Sequence, residues 1–306
     1  MRKAIGIVAA ILALLSAVAG LFYAYARHSM PDPNVPLEVV TASPDVYWIR
    51  GGISTMGFVV GKTSVIAIDA QFYEKTAANA LAAIRKVTSK AVRYVVLTHS
   101  DPDHVNGLPS FPAGVEVIAH PRTKVEMLAA LDGWKINPSA PSPALRRYLP
   151  SRLIASSADL EIDGVRLDFI HVAPAHTDGD LVMFLPAQKV VFAGDILTPE
   201  IGAYPGIHLD KHGSSLGWIK TVEAMLQLDA DVFISGHGKP LNRSEVEARL
   251  ATATLRRAEI AALVAKGRSL KDIREALRDK PLPGVASRFP TFVETTYTEL
   301  TAFKTG

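Results

Sequence analysis

Val92-Arg93-Tyr94-Val95-Val96-Leu97-Thr98 runs directly into His99-Ser100-Asp101-Pro102-Asp103-His104-Val105-Asn106-Gly107, and the reading of this stretch decides the fold. The first part is largely apolar and β-branched, as in a strand covered on both faces. It ends in His99, Asp101, Asp103 and His104, four side chains able to ligate a metal within six positions. A packed core has little use for so much imidazole and carboxylate, so the cluster reads as a metal site.

The cluster has distant partners: His176 in Pro174-Ala175-His176-Thr177, Asp195 in Phe192-Ala193-Gly194-Asp195, and His237 in Ser235-Gly236-His237-Gly238. Each follows a short apolar run. Such an arrangement gathers side chains from several strand ends at one sheet edge, where a rigid scaffold can hold an ion.

In order and spacing these motifs resemble the metallo-β-lactamase superfamily, whose signature is H-x-H-x-D-H followed by His, Asp and His. The resemblance covers roughly residues 40–242. It implies an α/β fold, a four-layer αββα sandwich with C-terminal helices, holding two divalent metal ions: zinc first, with iron or manganese as other choices. Carried over residue by residue, one ion takes His99, Asp101 and His176, the other takes Asp103, His104 and His237, and Asp195 bridges them. Asp103 also orients the attacking water and is the expected catalytic residue. Metal-bound hydroxide then cleaves an ester, thioester, lactone or amide bond with no protein nucleophile.

Asp101 departs from the family pattern, because it stands where the signature has its second His. A third carboxylate beside Asp103 and Asp195 makes the cluster about one unit more negative, which weakens Lewis acidity and favours a harder ion such as iron or manganese. Flavodiiron relatives place a glutamate at this ligand position, so a non-heme iron redox enzyme is one alternative reading; a non-catalytic metal-binding protein is another. A carboxylate turned away from the metal is the structural alternative for Asp101. A β-lactam is one possible substrate.

The 306 residues, 48% hydrophobic and 7% aromatic, suffice for one large domain with appendages. The formal charge of +3 is small and the basic residues are scattered, which argues against nucleic acid and leaves a small molecule as the expected partner. The oligomeric state stays open. Absence of cysteine excludes disulfides, thiolate-bound zinc and thiol nucleophiles, and leaves His and carboxylate to bind metal.

Met1-Arg2-Lys3 precedes an apolar segment at 4–26, long enough to cross a bilayer, and its basic start favours export of the chain beyond it. The expected location is therefore periplasmic or otherwise extracytoplasmic. The segment is either an uncleaved membrane anchor or a signal cut after Ala24-Tyr25-Ala26. Residues 1–26 form this segment, 27–37 a tether with Pro31, Pro33 and Pro36, 38–243 the catalytic domain, and 244–306 a helical extension.

Within the domain, strands are predicted at 46–50, 58–60, 65–69, 92–98, 115–119 and 232–235, with hairpins at 160–172, turning at Asp163-Gly164, and at 181–193. Helices are predicted at 77–87, 123–131, 216–226, 244–266 with Ser244 and Glu247 as a capping box, 269–278, and near 292–303. His171 shares a strand face with Leu167 and Phe169 and reads as packed. His208 and His212 lie on a loop that could border the pocket, as substrate or proton-transfer groups or as loop residues. His28 and His120 read as solvent or turn residues. Residues 137–152, with Arg146, Arg147, Tyr148 and Arg152, read as a solvated loop; their alternative role is to accept a carboxylate or sulfate.

Overall fold

The computed structural model describes residues 32–133, 139–199, 204–281 and 290–302, with Ser16 and Gly20. Apart from Ser16 and Gly20, the apolar segment at 4–26 lies outside the described residues, as do His28 and the rest of the tether's first five residues, 27–31. Among the described residues, no helix is long and apolar enough to cross a membrane.

Two sheets form the centre. The first orders β1 (Glu38–Ser43), β2 (Val46–Arg50), β3 (Met56–Val60), β4 (Val65–Ile68), β5 (Val92–Val96), β6 (Glu116–Ala119) and β7 (Arg152–Leu153) in chain order. It is antiparallel from β1 to β4 and parallel from β4 to β7. The second contains β8 (Ala158–Ile162), β9 (Val165–Ile170), β10 (Val182–Leu185), β11 (Val190–Gly194) and β12 (Val232–Ser235), in the order β12-β11-β10-β9-β8. Only β11 and β12 pair in parallel there.

Side-chain alternation divides each strand between two apolar layers. On β4, Ile66 and Ile68 enter the space between the sheets, while Val65 and Ala67 face outward; on β10, Met183 and Leu185 enter it, while Val182 and Phe184 face outward. Because both faces are covered, these strands carry unbroken hydrophobic runs rather than alternation with polar residues. Each fully buried Ile, Leu or Phe contributes about 1.5–3 kcal/mol. The sheets approach closely at Gly57, where an added Cβ would sit 2.1 Å from the Phe192 ring. Any larger residue there would force them apart.

The helices are α1 (Glu74–Val87), the single turn α2 (Pro102–Val105), α3 (Pro121–Asp132), α4 (Ser215–Leu226), α5 (Arg243–Ala265), α6 (Leu270–Ala276) and α7 (Phe292–Ala302). Ala77, Leu81 and Ile84 of α1 and Met127 of α3 cover the first sheet. Trp218 and Val222 of α4, Val246 and Ile260 of α5, Ile273 of α6 and Phe292 of α7 cover the second in one apolar cluster. The result is the four-layer αββα sandwich with C-terminal helices.

Three details differ from expectation. The capping box of α5 is Asn242 with Glu245, not Ser244 with Glu247: Asn242 Oδ1 accepts from Glu245 N at 3.0 Å, and Glu245 Oε2 accepts from Asn242 N at 2.9 Å. Asn242 holds the extended backbone an N-cap needs, so Ser244 falls inside the first turn, where its Oγ donates to Asn242 Oδ1. Strands β1 and β7 were not anticipated; β1 is half exposed and β7 only two residues long, so neither leaves a strong apolar pattern. His120 is buried as the N-cap of α3, accepting from Arg122 N at 3.3 Å and stacking on His171 at 4.1 Å.

Candidate metal centre

The carboxyl ends of β4 and β5 in one sheet, and of β11 and β12 in the other, feed the loops that carry Asp69, His99 to His104, Asp195 and His237. Pro102 opens α2, with Asp101 at its N-cap in extended conformation, so the chain turns sharply and places Asp103 and His104 on consecutive positions of one helical turn. His104 O accepts from Ala70 N at 2.8 Å, tying this turn to the end of β4. The His176 loop is shaped by Asp180, which accepts from Thr177 N at 2.9 Å and Thr177 Oγ1 at 2.6 Å.

All seven expected site residues come together. His99, Asp101, His176 and Asp195 form one group, and Asp103, His104 and His237 another; within each, the possible ligand atoms lie within 4.8 Å of one another. Asp195 connects the groups: its Oδ1 is 3.1 Å from His104 Nε2, and its Oδ2 is 3.2 Å from His237 Nε2, 3.9 Å from His176 Nε2 and 4.0 Å from His99 Nε2. Asp103 Oδ2 lies 3.2 Å from His237 Nε2. Gly236 makes room for this, since a Cβ there would meet Asp195 Oδ1 at 1.9 Å.

The four imidazoles share one orientation. His104 Nδ1 faces Asp69 Oδ2 at 2.7 Å, His99 Nδ1 faces Thr98 Oγ1 at 3.0 Å, His176 Nδ1 faces Gly206 O at 2.9 Å, and His237 Nδ1 faces Ile53 O at 2.8 Å. Each Nδ1–H is thereby occupied, and each Nε2 is turned toward the carboxylates. His99 Nε2 is buried with no hydrogen-bond partner, and His104 Nε2 and Asp195 Oδ1, both buried, have only each other, 3.1 Å apart. Buried polar atoms left so cost free energy unless something binds them. Imidazole nitrogens and carboxylate oxygens, held by outer hydrogen bonds and aimed at a common point, fit a divalent transition metal.

Electrostatics within the cluster are strong. Burial alone would raise Asp101 and Asp195, yet Lys211 and His99 hold Asp101, and His237 and His104 hold Asp195, well below the ordinary carboxylate range. Burial would lower the imidazoles, but Asp195 and Asp103 hold His104 well above its ordinary value, and Asp101 lifts His176 to about 9. The cluster therefore compensates its own charge, and a metal ion binding there must displace protons.

Two groups that touch the site were missed in the sequence. Asp69 accepts from Thr98 N and Thr98 Oγ1, both at 2.8 Å, besides orienting His104; its only signal was a carboxylate directly after the buried run 65–68. Lys211 Nζ lies 2.5 Å from Asp101 Oδ1 and 3.1 Å from Ser100 Oγ, and nothing in its spacing announced this. His208 is buried, with Nε2 3.0 Å from Asp101 Oδ2, whereas His212 is exposed in left-handed conformation. His171 falls just past β9 rather than on its face, half-buried and stacked on His120, with its Nδ1 2.8 Å from Asp180 O. Of the basic loop, Arg146 pairs with Asp132 at 2.7 Å, Arg152 with Glu116 at 2.7 Å, and Tyr148 Oη donates to Phe111 O at 2.9 Å.

A 2,4-dinitroanisole O-demethylase subunit alpha of Nocardioides sp. is 27% identical over 71% of this chain and 62% of its own length. A linear primary-alkylsulfatase of Pseudomonas sp. is 24% identical over 55% of this chain and 38% of its own, and a probable metallo-hydrolase of Bacillus subtilis is 24% identical over 68% and 71%. The chain thus spans less than two thirds of the first two of these relatives. Among solved structures, the stereoselective inverting sec-alkylsulfatase of Pseudomonas sp. superposes with a TM-score of 0.63 at 19% identity, over 87% of this chain and 50% of that one. The metallo-beta-lactamase of Pontibacter korlensis gives 0.58 at 21% identity, over 72% and 99%. The sequence model of the metallo-beta-lactamase superfamily matches residues 49–237. Since that match takes in more than half of the 306 residues and every segment supplying the cluster, the chain belongs to the metallo-beta-lactamase superfamily.

Proposed function

We propose that this protein is an exported metal-dependent hydrolase of small molecules, with a centre for two divalent ions, zinc foremost, held by His99, Asp101, His176, Asp195, Asp103, His104 and His237. The observation carrying this reading is the shared orientation of the four imidazoles, each braced at Nδ1 with Nε2 turned toward the carboxylates. Two bound ions supply Lewis acidity and lower the pKa of water. The protein supplies position and proton handling. Asp103 and His237, with side chains 18% and 16% exposed, form the accessible side of the cluster, whereas those of His99, Asp101, His104, His176 and Asp195 are 9% exposed or less. A substrate therefore approaches past Asp103 and His237. Asp103 would help hold the ion and orient the attacking water through its carboxylate.

The bond cleaved is an ester or a related linkage: carboxylic ester, thioester, lactone, amide or, as the alkylsulfatase relative suggests, sulfate ester. Export is read from the charged start and apolar segment 4–26. The test pairs elemental analysis of protein purified without added metal with a screen of ester, lactone, thioester, β-lactam and alkyl sulfate substrates. Between about one and two equivalents of transition metal are expected. Equal metal content in the wild type and an Asp103→Ala/His237→Ala variant would overturn the assignment.

A further inference from the structure

Asp101 is the one ligand position at which the chain leaves its family's pattern, and it is also the one with a cation built against it. Lys211 Nζ donates to Asp101 Oδ1 at 2.5 Å and to Ser100 Oγ at 3.1 Å. The other carboxylate oxygen, Oδ2, faces His208 Nε2 at 3.0 Å, His176 Nε2 at 3.3 Å and His99 Nε2 at 3.6 Å. Ligand atoms on one ion, each about 2.1 Å from it, stand roughly 3.0–3.4 Å apart, so the spacing to His176, and within a few tenths of an ångström that to His99, suits a shared ion.

The lysine is placed by its backbone. Lys211 N donates to His208 O at 3.1 Å, Asp178 N donates to Lys211 O at 2.9 Å, and His208 N donates to His176 O at 2.8 Å. The short turn Leu209–Lys211 is thus fastened to the loop that carries His176, itself a member of the cluster. The Lys211 side chain is 16% exposed, and an ammonium so enclosed needs an anion beside it.

Resting on the metal-centre reading, we propose that Lys211 is a positioning residue that compensates Asp101: it occupies Oδ1, so that Asp101 presents a single oxygen to the ion. Its positive charge restores the balance that a neutral His at this position would give. Three carboxylates with one ammonium carry the same net charge as the two carboxylates of the family signature. Asp101 with Lys211 together then behave as a neutral, one-atom ligand, and the site keeps the preference for zinc that an imidazole would confer. Without Lys211, the freed carboxylate can offer both oxygens, which favours a harder ion.

The test is equilibrium dialysis of the full chain against buffered mixtures of zinc and manganese, with elemental analysis of the retained protein. It compares wild type, Lys211→Met, Lys211→Arg, Asp101→His and the Asp101→His/Lys211→Met double variant. Lys211→Met should shift the bound zinc-to-manganese ratio toward manganese by up to about tenfold, reached when the roughly tenfold affinity loss from removing an outer partner of a ligand falls on zinc alone. Lys211→Arg should keep the wild-type ratio. In the Asp101→His background the ammonium has no carboxylate to balance, so adding Lys211→Met should raise metal occupancy and leave the ratio unchanged. An unaltered ratio in Lys211→Met, or the same change in both backgrounds, overturns the proposal while leaving the metal centre intact. Wild-type protein that binds neither ion overturns both.

Discussion

Replacing Asp69 by Asn changes one atom at a buried carboxylate outside the proposed ligand set. Its two oxygens accept from Thr98 N, Thr98 Oγ1 and His104 Nδ1 at 2.7–2.8 Å, and Thr98 Oγ1 in turn lies 3.0 Å from His99 Nδ1. An amide offers one oxygen and one NH2, so one of these donors must face another donor. If that donor is His104 Nδ1–H, the proton moves to Nε2, the atom meant for metal. Loss of such an outer partner lowers metal affinity about 10–100-fold, or roughly 1.4–2.7 kcal/mol. Because Asp69 braces His104 directly and His99 through Thr98, the upper end is expected, with the greater loss at the ion bound by Asp103, His104 and His237.

The assay is zinc titration against a competing chromophoric chelator, with thermal denaturation of the metal-free protein alongside. Asp163→Asn serves as control. Asp163 also accepts several hydrogen bonds, from Thr63 and Ser64, at the β8–β9 turn away from the cluster. It should lose stability without losing zinc affinity. If Asp69→Asn weakens zinc no more than Asp163→Asn does, the bracing role assigned to Asp69 is wrong.

Gly236→Ala should push its Cβ against Asp195 Oδ1, 1.9 Å away as placed, and shed at least one equivalent of metal; two retained equivalents, measured by elemental analysis, would contradict the bridging role of Asp195. For the metal-free protein, His176 is lifted to about 9, with burial opposing and Asp101 driving the rise. Stabilisation from a raised imidazole is fully present below about pH 6.5 and disappears as pH rises through the folded value, a change on the order of 3 kcal/mol. The metal-free melting temperature should therefore fall between these limits. The loaded protein, whose imidazoles are already deprotonated, should not fall with it, so a gap between the two that narrows toward pH 9 would refute this. Glu299 accepts from Ser215 N and Ser215 Oγ at 2.5 Å and so fastens α7 to the start of α4. Glu299→Ala should cost about 2–3 kcal/mol in chemical denaturation while zinc content stays the same.

The fold was legible because its central strands are buried on both faces: runs such as 65–68, 182–185 and 232–234 carry no polar interruption, and Asp163-Gly164 marked its hairpin. Sequence alone pointed to the seven clustered residues because the segments that carry them follow short, largely apolar stretches. Lys211 escaped notice because its partner is 110 positions away and a lysine on a loop ordinarily signals solvent. A charge count along the motif leaves out Lys211, whose Nζ lies 2.5 Å from Asp101 Oδ1. The burial of His120 was illegible for a related reason: its stacking on His171 is a tertiary contact.

The cluster draws His99, Asp101, Asp103 and His104 from the end of the first sheet, and His176, Asp195 and His237 from segments of the second. Along this seam the backbone contributes Leu181 N to Thr98 O and Thr55 N to Gly236 O, each at 2.7 Å. An ion shared by ligands from both sides is therefore a cross-link between two half-sandwiches as well as a reagent. Its binding energy adds directly to their association, about 2.7 kcal/mol when free metal is a hundred times its dissociation constant. Chelation should first loosen this one margin, so that amide exchange at 98–107 and 235–238 accelerates while the opposite margin, around Asp163, stays protected. Metal supply would then govern how long the folded chain survives proteolysis as well as how fast it turns over substrate.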